Sequence, residues 1–326
     1  AITMPLPVLL LLVLMIRGFF LEGFQEGIWF YFVPDFRTLL DPDVWVAALA
    51  QVFFSLSLGL GVMIAYGSFR KQKSPLVKMT YLTAISDTLI ALISGFTVFA
   101  TVGYMATKSG VPVGELAAQG PSLAFIVFPE ILSVLPAPAL FSFIFFIMLF
   151  TFAIDSLFSM VEAIAVVFKD WLPKSNQSII VLFVCASCFI CSTIFATQGG
   201  IYYLEIVDHF ITRYLLIGGA LCQVVAVAWV FGAERLMEEI NGYSKWQVGR
   251  FWVFTLRYLC PAFLGILLLV ALKEDLTKPF GGYSQPILFM YGWSIVCISL
   301  IVCSAASYFS YRQAINGKRE IEGEGS

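Results

Sequence analysis

Charge is scarce in this 326-residue chain: Asp, Glu, Lys and Arg together make up 12% of it, against about 25% in an average soluble domain. So few charges cannot cover a water-exposed surface, and they exclude a charge-rich disordered chain as well. The formal net charge of −2 leaves no basic field to hold nucleic acid. Histidine is nearly absent, His209 being the only one, and there is no H-E-x-x-H pair, which removes zinc catalysis. The sequence has no G-x-x-x-x-G-K-[ST] phosphate loop, so ATP does not drive it directly. It has no G-x-S-x-G elbow and no visible nucleophile–base pair, so no enzyme is expected. No basic leader and no small-residue cleavage site mark a signal peptide. The chain also lacks an initiator Met and begins inside an apolar run, Ala1-Ile2-Thr3-Met4, which leads us to expect a piece of something longer.

What is abundant is apolar. Hydrophobic residues make up 60%, Phe alone occurs 32 times, and mean hydropathy is +0.91. The Leu, Ile and Val runs are continuous rather than alternating, which points to helices and not to a barrel. The expected class is all-α: a polytopic membrane helix bundle, with residues 1–326 as a single transmembrane domain.

A span needs about 20 mostly apolar residues. Eight segments qualify: Met4–Phe20, Trp45–Tyr66, Tyr81–Tyr104, Leu140–Val167, Ile179–Phe195, Leu204–Phe231, Trp252–Leu272 and Ile287–Tyr308. One set of loops carries Arg70, Lys71, Lys73, Lys78, Lys169, Lys174, Arg235, Lys245, Arg250, Arg312, Lys318 and Arg319; the alternate set has only Arg37, Lys108, Lys273 and Lys278. Positive residues favour the cytoplasm, so the first set and the C-terminus are expected inside. The sequon Asn176-Gln177-Ser178 then falls on the cytoplasmic side and reads as a chance match. Two outer loops, 21–43 and 105–139, are long. They act as lids or binding elements, or they simply pack over the bundle.

Charges inside spans are costly and mark function by default. Asp87 lies in the third span. Asp155, Ser159 and Glu162 in the fourth share one helix face by their i, i+4, i+7 spacing. For each carboxylate the choice lies between serving an ion or proton and hydrogen bonding to neighbouring helices. Asp208, His209 and Arg213 sit near the outer end of the sixth span, where His209 reads as a packing or hydrogen-bonding residue. Cys185, Cys188 and Cys191 form C-x-x-C-x-x-C, but within a continuous apolar span they read as packing rather than iron–sulfur ligands.

The second span is the most informative. In Gln51-Val52-Phe53-Phe54-Ser55-Leu56-Ser57-Leu58-Gly59-Leu60-Gly61, two serines and two glycines sit in the middle of an apolar run. Gly weakens a helix by about 1 kcal/mol relative to Ala. A break at this depth survives only where it lines a cavity or binds something, as in secondary transporters. Close helix packing is the alternative use of such small residues.

These residues resemble the neurotransmitter:sodium symporter family, solute carrier family 6, whose members have the LeuT-type fold. The resemblance runs through Val33-Pro34-Asp35-Phe36, Leu40-Asp41-Pro42-Asp43-Val44-Trp45, Gln51 to Gly61, Ser94-Gly95-Phe96 and Gly103-Tyr104-Met105. It continues in Gly120-Pro121-Ser122-Leu123 with Pro129-Glu130, Leu149 to Ser156, Gly199-Gly200 with Tyr202, Trp229 to Glu239, Arg257-Tyr258 and Pro261-Ala262-Phe263-Leu264. It implies a fold of about twelve helices, of which this chain would hold the fifth to the last and lack the first four. Those missing helices would supply the other half of the site.

Position by position, the resemblance implies that Phe54, Ser55, Ser57 and Leu60 line the substrate, with Ser156 and Met160 from the fourth span. Leu60 stands where the family usually has Phe. It implies sodium ligands at Ser55, Asp87, Phe152 (through its carbonyl), Asp155 and Ser156. It also implies an outer gate at Asp208 and an inner gate at Asp170. Sodium is a hard cation and prefers the oxygens these residues offer. Chloride-dependent members carry a small hydroxyl residue one turn after the Asn position of the third span. Here that place is Ala91, and Asp87 replaces the Asn, so no chloride requirement is expected. The implied function is sodium-coupled symport of an amino acid or related small amine by alternating access, in the plasma membrane. The implied partners are a small-molecule substrate, membrane lipid and the missing N-terminal helices, with no nucleic acid. A non-transporting protein of the same fold is the alternative, but it would not need Ser55, Asp155 and Ser156.

Overall fold

The computed structural model describes residues 5–69, 75–116, 123–133 and 137–323. Regular structure among them is entirely helical. Six helices are long and apolar enough to cross a membrane: Leu76–Ser109, Pro138–Trp171, Gln177–Ala196, Gly200–Tyr243, Arg250–Gly282 and Gln285–Tyr308. Each contains one expected span. Arg70, Lys71 and Lys73 of the basic loop, and Gly120-Pro121-Ser122 of the outer loop, lie outside the described residues.

The other two expected spans take a different form. Among the described residues, Pro5–Gly18 form a helix of 14 residues. A turn through left-handed Gly23 (φ 80°) follows it, then the helix Phe24–Phe32. The segment 45–66 is two helices, Pro42–Ser55 and Val62–Ser68, with an irregular stretch between them. The small residues in its middle do interrupt the helix.

The helix ends follow local rules. Asp41 caps Pro42–Ser55 by accepting from the Asp43 amide at 3.0 Å, and Pro42 occupies the first turn, where a missing N–H is harmless. Asn176 caps Gln177–Ser192 by accepting from the Ser178 amide at 2.9 Å. The long helix ending at Trp171 is closed by Lys169, whose ammonium donates to the Pro173 and Ser175 carbonyls.

The chain forms two compact units, one of residues 1–38 and 79–160, the other of residues 39–78 and 161–326. In the first, Leu11, Leu14, Val102, Ile131, Phe145 and Met148 belong to one buried core, and Phe128 stacks on Phe145 with centroids 4.7 Å apart. Helix Phe24–Phe32 lies backbone-to-backbone on Leu76–Ser109. A Cβ on Gly27 would fall 1.7 Å from the Phe99 carbonyl oxygen, so only glycine fits there. In the second unit, Val46, Ile217, Ala220, Leu264 and Leu267 form a seam joining Pro42–Ser55 to the two long helices that begin at Gly200 and Arg250.

Candidate functional site

The irregular stretch after Ser55 is built by three left-handed residues in alternation. Ser57 has φ 53°, Gly59 has φ 77° and Gly61 has φ 79°. Glycine takes this conformation freely, whereas Ser57 is strained by about 1–2 kcal/mol. Strain of this kind gathers at functional sites. The Leu56, Ser57 and Leu58 amides still reach back to the carbonyls of Val52, Phe54 and Phe53, at 3.1, 3.1 and 2.7 Å, so the helix closes in a tight knot before it stops. The next helix restarts from Gly61, whose carbonyl accepts from the Ala65 amide at 3.0 Å. Gly59 lies against the Gly200–Tyr243 helix: a Cβ there would stand 3.2 Å from both Leu216 Cδ1 and the Leu216 carbonyl oxygen.

Among the sequence-predicted residues, Phe54 and Ser55 end the first half-helix, and Ser57 and Leu60 lie in the irregular stretch. Asp87 is half-buried within Leu76–Ser109. Phe152, Asp155, Ser156 and Met160 occupy successive turns of Pro138–Trp171. Phe152 packs against the first unit's core, Asp155 is half-buried, and the Ser156 carbonyl accepts from the Ser159 hydroxyl at 2.8 Å. Asp208 and Asp170 are both exposed, Asp208 beside His209 and Asp170 in the last turn of its helix.

A second constellation, in the second unit, is not visible in the sequence. Arg213 donates through Nη2 to Asp43 Oδ1 at 2.8 Å and to Glu274, and its Nε lies 3.7 Å from Asp275 Oδ2. Asp275 Oδ2 also meets His209 Nε2 at 2.9 Å and accepts from the Tyr214 hydroxyl at 2.5 Å. The His209 ring stacks on Phe280, centroids 3.8 Å apart. Side-chain exposure is 13% at Arg213 and 9% at Asp275, but 55% at Asp43. Asp43 precedes the expected span. Partial burial pushes its carboxyl up, but hydrogen bonds with Glu274 and Arg213 and the Arg213 charge outweigh that and hold it below the usual carboxylate range. The sequence signal was an arginine inside a span, which demands a counter-charge, but nothing in the linear order says which acid supplies it.

The comparisons with known proteins agree with this architecture. The family model described as the sodium:neurotransmitter symporter family matches residues 1–314. An uncharacterized sodium-dependent transporter of Methanocaldococcus jannaschii is 35% identical over 302 residues, 92% of this chain and 61% of that protein. The sodium-dependent dopamine transporter of Bos taurus is 33% identical over 304 residues, 92% of this chain and 44% of that protein. The sodium- and chloride-dependent glycine transporter 2 of Xenopus laevis is 32% identical over 303 residues, 92% of this chain and 38% of that protein. The chain thus spans less than two-thirds of the length of each. With its six membrane-length helices, its helix broken where the family motif lies, and a match from the first residue to residue 314, this chain belongs to the sodium:neurotransmitter symporter family.

Proposed function

We propose that this chain is part of a sodium-coupled transporter of amino acids or related small amines that works by alternating access in the plasma membrane, with the C-terminus cytoplasmic. The break between Ser55 and Val62 carries the reading. A strained, irregular segment in an apolar run needs a cavity or a bound group to satisfy its backbone. Phe54, Ser55, Ser57 and Leu60, with Ser156 and Met160, would line the substrate. Ser55, Asp87, the Phe152 carbonyl, Asp155 and Ser156 would hold sodium, whose preference for oxygen they suit. Asp208 and Asp170 would serve as outer and inner gates. The side chains at 55, 57, 60 and 156 are small or aliphatic and uncharged, which favours neutral amino acids over charged solutes.

Uptake of radiolabelled amino acids and small amines by the full-length protein, in proteoliposomes under an inward sodium gradient, tests the reading. Asp155→Ala should abolish the sodium dependence and leave membrane insertion intact. Unchanged sodium dependence in that variant overturns the assignment of Asp155. We propose further that chloride is not required, because Asp87 supplies a negative charge and Ala91 no anion-binding hydroxyl. Two unit charges about 4 Å apart attract by about 4 kcal/mol at an effective dielectric of about 20, enough to take the place of a bound anion. Uptake should persist when gluconate replaces chloride. Loss of uptake in gluconate refutes chloride independence.

A further inference from the structure

Both ends of the half-helix Pro42–Ser55 are held by one short stretch of its neighbour. Residues Ile211–Leu216 form a single π-helical turn within the Gly200–Tyr243 helix. Such turns are rare, and they concentrate at functional sites because the extra residue re-aims the side chains around it. Arg213, in the middle of this turn, bonds Asp43 in the first turn of the half-helix, 2.8 Å away. Leu216, at the end of the turn, presents its carbonyl oxygen and Cδ1 to Gly59, just past the half-helix's other end. Between the two points, Val46, Leu49 and Phe53 share one apolar cluster with Ile217, Ala220 and Leu221.

Arg213 cannot follow Asp43 if the half-helix tilts. Its guanidinium is also bonded to Glu274 and lies beside Asp275, and Asp275 is fixed in turn by Tyr214 and His209. Asp43 is the loose partner and Arg213 the anchor. An α-helix is stiff along its axis, so constraining its first turn constrains where its last turn delivers the chain. We infer that Arg213 is a positioning residue: by clamping Asp43 it sets the placement of the irregular segment 56–61 and of the substrate-lining residues on it. The link to substrate rests on the proposed transport function; the link to the segment does not.

The test uses Asp43→Asn, which spares the buried anchor, and Asp43→Glu, which can rebuild the bond. Hydrogen–deuterium exchange on the purified protein should run about three- to fivefold faster across 54–61 in Asp43→Asn. Exchange across the Gln177–Ser192 helix should stay at the wild-type rate, and Asp43→Glu should restore wild-type exchange in 54–61. Unchanged exchange at 54–61, or an equal rise in both helices, overturns the proposal, the second because it marks general loosening. In uptake by the full-length protein, Asp43→Asn should raise KM by a similar factor with Vmax within about twofold. Faster exchange with unchanged KM overturns the link to substrate. If the full-length wild-type protein shows no sodium-dependent uptake of amino acids or small amines, the transport reading falls, and exchange alone decides this one.

Discussion

Two arginines of the second unit, Arg213 and Arg257, lie inside long helices and live in different worlds. Arg257 pairs with Glu234 through both guanidinium nitrogens, at 2.6 and 2.5 Å, and its backbone carbonyl accepts from the Trp229 indole at 3.0 Å. The side chains of this pair are 28% and 53% exposed. Arg213 reaches three acids from a site only 13% exposed, and one of those acids is tied down by Tyr214 and His209. By bond count the two arginines are level, each donating two hydrogen bonds to carboxylates. Burial separates them. An exposed pair exchanges one solvated state for another, while a buried charge that loses its partner cannot recover the water it gave up.

The sharpest test of that contrast is to remove each cation in turn. Arg213→Met keeps the side-chain bulk but leaves Asp43, Glu274 and Asp275 crowded together with no cation among them except through His209. We expect a loss of about 3–5 kcal/mol in equilibrium unfolding in detergent. Arg257→Met should unfold at the wild-type denaturant concentration within replicate scatter. Equal losses would break the comparison.

A smaller effect probes the ring of polar groups around each arginine. Tyr214→Phe deletes one donor to the buried Asp275 carboxylate and should cost about 1.5–3 kcal/mol, the range for a hydrogen bond to a charged group. Trp229→Phe deletes a donor to a neutral backbone carbonyl, so its loss should be the smaller of the two. The opposite order in the same unfolding assay would mean that the Asp275 site is wetter than its burial implies.

The smallest effect is a pH dependence. Against partial burial, hydrogen bonds with Glu274 and Arg213 and the Arg213 charge hold the Asp43 carboxyl below its ordinary value in the folded protein. The stabilisation is therefore fully present above the unfolded value of about 3.9 and is lost as pH falls through the lower folded value. The difference in melting temperature between wild type and Asp43→Asn should be constant near neutrality and shrink toward zero below about pH 4. A difference that persists unchanged into acid would mean that the effect of Asp43 does not depend on its charge.

Much of the candidate site was legible in one dimension because its signals are local. A carboxylate such as Asp155 in an apolar run, or Ser and Gly in the middle of Gln51–Gly61, stands out against its immediate neighbours. The break at Leu56–Gly61 is where those residues put it. Helix length was less legible. Met4–Phe20 is apolar but for Arg17, yet its helix stops at Gly18, where glycines at 18 and 23 favour a turn over another cycle of backbone bonds. Asn176 opens a sequon that reads as a chance match, and in the structure the residue caps the helix that starts at Gln177.

Composition and hydropathy were enough for the membrane and the helices, since the bilayer imposes one rule on every apolar run: the backbone must satisfy itself; the family came from the resemblance of ordered motifs. The same rule told us that a helix broken in mid-membrane has a purpose. It could not pair Arg213 with Asp43, 170 residues away, or with Glu274, 61 residues away. An arginine in a span needs an acid, but any of the 21 Asp and Glu residues would meet that need on paper. The choice depends on which helix ends arrive at the same place, and that follows from the packing of Val46, Ile217 and Leu264 across three helices.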